Sequence, residues 1–168
     1  MAIETILEDD RWDMLGLDAL AQTACAATLN HLNLNAAAFE ISLLGCDDAK
    51  IATLNQDFRA KPTATNVLSW PAAELAADQP GQPPHTPALG TADMPEELGD
   101  IAISYDTCAK EAAQTGHDID AHVLHLLVHG TLHLLGYDHI SSQDADLMEG
   151  IEVQILASLG QPDPYTNH

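Results

Sequence analysis

The sequence predicts an α/β fold of the α+β type, with one small mixed sheet of about four strands covered by about five helices. The first observation behind this is the order of apolar segments: strand-like and helix-like stretches alternate early, and helix-like stretches cluster late. The second is that the strand-like segments are short, rich in β-branched or aromatic residues, and bounded by Gly or Pro. The third is size: 168 residues, 46% of them hydrophobic, fill one core and are too few for two ordinary ones, so residues 1–168 are read as a single domain.

Residues 2–7 (AIETIL) read as a short strand, and 15–32 as an apolar helix with a period near 3.6. A second strand, FEISLLG, spans 39–45. Asp47 or Asp48 then caps a helix to about Phe58, with Ile51, Leu54 and Phe58 on its packing face. NVLSW at 66–70 and GDIAIS at 99–104 are strands expected to pair with each other. Between them, 71–97 holds six of the nine prolines and neither Lys nor Arg. Its composition favours disorder over an ordered flap. A helix from Tyr105 to about Thr115 stops at Gly116, and Asp118 or Asp120 opens the next, about 119–135, ended by Gly136. Ser141 with Asp144 resembles a capping box for a last helix reaching Leu159.

Lys plus Arg number 5 against 26 Asp plus Glu, a formal net charge of -21. Such a surface excludes a nucleic-acid binder relying on a broad basic face, and an anionic membrane is no better a partner. Screening over about 8 Å still lets a local site decide what a phosphate feels. Arg59 and Lys61, two of the five cations, sit together just before the NVLSW strand. Cys25, Cys46 and Cys108 are far apart, which suggests neither a disulfide framework nor a thiolate metal knuckle and fits a reducing cytoplasm. The acidic start MAIETILEDDRWD lacks the features of a secretory signal, and no apolar run is long enough for a membrane span.

The chemistry concentrates in AHVLHLLVHGTLHLLGYDH, which ends at His139. On a helix, His122, His125, His129 and His133 fall within a stripe about 80° wide, opposite Leu124, Val128, Thr131 and Leu135. His129 and His133, at i and i+4, stand one turn apart on the same side, the spacing at which two imidazoles share one small cation. A left-handed Gly136 reverses the chain so that His139 supplies a third ligand. Three neutral imidazoles leave a metal ion its full charge and an open position, the pattern of catalytic zinc, one Zn2+ per chain. Nickel or copper also suits such a donor set. His122 and His125 lie too far up the helix to join His139 and are read as ordinary satisfied histidines, with His125 also a candidate support for a ligand. Asp138 is read as a turn residue, an acceptor that orients a ligand, or a proton acceptor.

HGTLHLLGYDH at 129–139 closely resembles the H-G-x-L-H-L-x-G-Y-D-H signature of the YbeY family of bacterial endoribonucleases. The resemblance continues in LNQDFRAKPTATNVLSWP at 54–71, LGDIAIS at 98–104 and the Met148–Glu149 pair, spanning about 40–160. It implies that His129, His133 and His139 bind zinc, and that Arg59 is the catalytic cation lining the cleft for single-stranded RNA. It further implies a role in 16S rRNA 3′-end maturation and ribosome quality control, alongside a small-subunit ribosomal protein and an Era-like GTPase. The chain departs from the family at Pro62, at Trp70 where Phe is common, and in a longer 71–97 loop. Two rivals remain. One is a zinc peptidase, although Gly130 stands where H-E-x-x-H places its glutamate; the other is a non-catalytic, zinc-stabilised ribosome assembly factor, whose acidic surface suits basic partners.

Overall fold

The computed structural model describes residues 1–165. Its strands are β1 (Ala2–Leu7), β2 (Phe39–Cys46), β3 (Val67–Pro71) and β4 (Glu96–Ser104). Its helices are α1 (Asp10–Leu15), α2 (Leu17–His31), α3 (Asp48–Arg59), α4 (Tyr105–Thr115), α5 (Ile119–Leu134) and α6 (Ser142–Ser158). The strands form one mixed sheet in the order β1-β2-β4-β3. β1, β2 and β4 run parallel, and β3 is antiparallel to β4, with Val67 opposite Ile103 and Pro71 opposite Gly99. The α+β class and the expected pairing of the NVLSW and GDIAIS segments therefore both hold.

Alternation along the strands divides the core. Phe39, Ile41, Leu43, Ile101 and Ile103 point to one face and join residues of α2 and α5 in the main cluster. Leu68 and Ala102 point to the other, under Ile51 and Leu54 of α3. α5 is the central helix: Val123, Leu127, Val128, Leu132 and Leu134 are fully buried. Only its histidine side is left to face a cleft, because the sheet, α2, α4 and α6 occupy the others.

Three expectations need correcting. The helix expected from residue 15 is preceded by a separate turn of helix, α1, which Asp9 caps at Arg11 N–H and a left-handed Gly16 ends. Phe58 extends the face of Ile51 and Leu54 as far as Trp70, which it meets edge to face, but its ring stays 64% exposed instead of joining the core. The 71–97 segment is not a disordered tether. Its ends are strand, since β3 includes Pro71 and β4 begins at Glu96. The rest is irregular but held: Ala72 N–H donates to Leu98, His85 N–H to Leu75, and Gly81 N–H to the Asp144 carboxylate. Composition missed this because the segment borrows its order from the body of the fold.

Candidate metal centre

α5 ends in a left-handed turn. Gly136, at φ 100°, donates to the His133 carbonyl, and Tyr137 N–H reaches back to Leu132, so the chain doubles back beside the last helical turn. Asp138 accepts the backbone N–H of His139 at 2.7 Å within that turn. The result brings three imidazoles together. One ligand atom from each of His129, His133 and His139 lies within 4.8 Å of the others, with ring centroids 4.5–5.3 Å apart. His129 and His133 are half-buried and His139 is exposed.

The donor set fits a metal ion on two further grounds. Glu152, a fully buried carboxylate on α6, contacts Nδ1 of His129 at 2.6 Å, which leaves Nε2 of that ring to coordinate. Burial, reinforced by the imidazoles of His129 and His139, pushes His133 down to about 4, so it is neutral at pH 7 and its lone pair is available. Burial alone would raise the Glu152 carboxyl, but hydrogen bonds from His125 and His129 and from the Tyr165 hydroxyl outweigh it and hold the group down to about 2. Burial and that carboxylate raise the Tyr165 phenol, which stays a protonated donor.

His125 shares the carboxylate, its Nε2 lying 2.8 Å from Glu152, so it supports the cluster without joining it. His122 is satisfied by Glu111 at 2.9 Å. The triad opens into a cleft of about 920 Å³ whose floor is β3. Arg59, in the last turn of α3, is exposed on the same cleft and pairs with no carboxylate among the described residues. Lys61 is exposed beyond the cleft lining. Gly130 faces the sheet: a Cβ there would meet Ser69 Oγ at 3.2 Å and Ile101 Cδ1 at 3.3 Å. A longer side chain in that place would have to displace Ser69 or Ile101, and the chain has no glutamate beside His129 to serve as the general base of a zinc peptidase.

Glu152 and Tyr165 were missed by sequence reasoning. For Glu152 the signal was there: it shares the inward stripe of α6 with Met148, Ile155 and Leu156, and a carboxylate on an apolar stripe demands a partner. Tyr165 lies beyond the last helix, where no periodicity places it.

A family model described as Endoribonuclease YbeY matches residues 3–160. Proteins named Endoribonuclease YbeY are similar over nearly the whole chain. That of Dinoroseobacter shibae is 56% identical, covering 97% of this chain and 90% of its own length. That of Ruegeria pomeroyi is 55% identical with 99% of each chain covered, and that of a Jannaschia species is 52% identical with 98% and 100% covered. The solution structure of a Thermotoga maritima protein is 18% identical, with a TM-score of 0.55 over 98% of this chain and 99% of that one, a likeness of fold.

Proposed function

The chain belongs to the YbeY family of endoribonucleases and is a hydrolase of RNA, and from that premise we propose that it is a zinc-dependent, single-strand-specific enzyme whose site is the histidine triad with Arg59. The observation that carries this reading is the convergence of three imidazoles and one unpaired guanidinium on a single cleft. His129, His133 and His139 would hold the ion, with Glu152 fixing the His129 ring. When bound, such a metal supplies a Lewis acid for a phosphodiester oxygen and for water. Arg59 binds a nonbridging phosphate oxygen and offsets the charge that grows in the transition state, a task its planar donors suit. An extended single strand threads the cleft, where its unpaired bases are accessible.

The finer assignment follows the family resemblance: processing of 16S rRNA at its 3′ end and ribosome quality control in the cytoplasm, by one catalytic domain with a small-subunit ribosomal protein and an Era-like GTPase as partners. No helix among the described residues is long and apolar enough to cross a membrane. The net charge of -21 favours a second role, docking on basic ribosomal proteins as an assembly factor. Metal analysis beside single-stranded RNA cleavage tests the proposal. Wild type should carry about one zinc per chain, and His133→Ala should lose both metal and cleavage. Arg59→Ala should keep the metal while turnover drops about 100-fold or more; loss of metal in that variant refutes its role. Ribosome maturation that persists in cells carrying His133→Ala favours the assembly factor.

A further inference from the structure

Four of the seven aromatic residues, Phe58, Trp70, Tyr137 and Tyr165, line the cleft that holds the triad. The other three, Trp12, Phe39 and Tyr105, lie in or against the core. Phe58 and Trp70 touch edge to face, with centroids 5.1 Å apart and planes at 62°, and Phe58 is 64% exposed. A phenylalanine left this open forgoes most of the free energy of burying its ring, so packing alone gives it little reason to stand there. It is also the neighbour in sequence of Arg59, the only Lys or Arg that lines the cleft.

A chain of net charge -21 whose cleft offers a single guanidinium beside the proposed metal ion has too few positive groups to hold RNA by neutralising a long run of phosphates. Stacking of bases on aromatic rings is the other general source of affinity for single strands, and it is insensitive to charge. We infer that Phe58 and Trp70 form a stacking platform for one unpaired nucleobase, beside the phosphate held by Arg59, and that stacking supplies most of the grip on RNA. The inference rests on the endoribonuclease reading above and adds how the substrate is retained.

The test compares binding of metal-loaded wild type, Phe58→Ala and Phe58→Tyr to a short labelled oligouridylate and to an abasic phosphodiester oligomer of equal length. Phe58 is exposed, so its replacement should leave metal content and thermal unfolding as in wild type. Phe58→Ala should weaken oligouridylate binding roughly 5- to 150-fold, the range for one lost stacked base. Phe58→Tyr should restore it, and the abasic oligomer should bind all three equally weakly. The wild-type slope of log affinity against log salt should be no steeper than about −1.5, near one to two phosphates. Unchanged affinity in Phe58→Ala, abasic binding as tight as oligouridylate, or a slope of about −3 or steeper would overturn the platform while wild-type cleavage left the enzyme reading intact. A wild type that neither binds nor cuts RNA would overturn both.

Discussion

At the scale of single residues, the site depends on Glu152. Its two oxygens serve His125, His129 and the Tyr165 hydroxyl, and it has no solvent to fall back on. Glutamine has nearly the same shape but one acceptor oxygen, so one histidine must then face an amide N–H2. Glu152→Gln should weaken metal affinity about 10- to 100-fold, as read by competition with a chromogenic chelator; an unchanged affinity would show that the carboxylate is only structural. His133 gives a pH dependence of defined sign. Its folded value of about 4 lies below the ordinary 6.5, so between them the unfolded chain binds more protons. The stability of metal-free protein due to this group is complete above about 6.5 and is lost as pH falls through about 4. Urea unfolding of metal-free protein across that window should show midpoints falling with pH, and His133→Asn should flatten the trend; an equal slope in both would exclude His133 as its source.

Among the elements, the end of α5 decides whether two clustered imidazoles become three. Gly136 holds a φ of 100°, and a Cβ there would lie 2.8 Å from the Leu75 backbone of the 71–97 segment. Gly136→Ala should therefore cost about 1–3 kcal/mol of stability, seen in denaturant unfolding. It should also lower zinc occupancy by shifting His139, while His129 and His133, inside the helix, stay in place. Full occupancy in a destabilised variant would separate the turn from the metal centre. The same contact explains why the proline-rich segment is ordered: it packs on the turn that shapes the site. That the glycine ends the helix was legible in the sequence, whereas its second duty, admitting a distant backbone, was not.

For the whole molecule, charge is the dominant global property. Of five cations, Arg11 is committed to Asp9 and Asp106, and Lys50 to Glu8, which leaves most of the 26 carboxylates without a cationic neighbour. Their mutual repulsion opposes the compact state and is screened by salt. Raising sodium chloride from about 0.02 M to about 0.3 M should thus raise the thermal midpoint by a few degrees; a fall would mean that local ion pairs outweigh the net charge. The triad and Arg59 line one cleft, so the charge there is set locally against a repulsive background.

The sequence by itself determined the class of fold, the pairing of the strands at 67–71 and 96–104, and the helix whose last turns carry His129 and His133. It also determined the turn that returns His139. All of these follow from local periodicity and turn chemistry, which neighbouring residues suffice to set. Only the tertiary structure decided that Glu152 would back His129, that Arg59 would line the same cleft as the triad, that Phe58 would stand open beside Trp70, and that the 71–97 segment would be held in place. Each of these joins residues far apart in the chain, and such a contact exists only once the packing of α3, α5 and α6 against the sheet has fixed where their side chains meet.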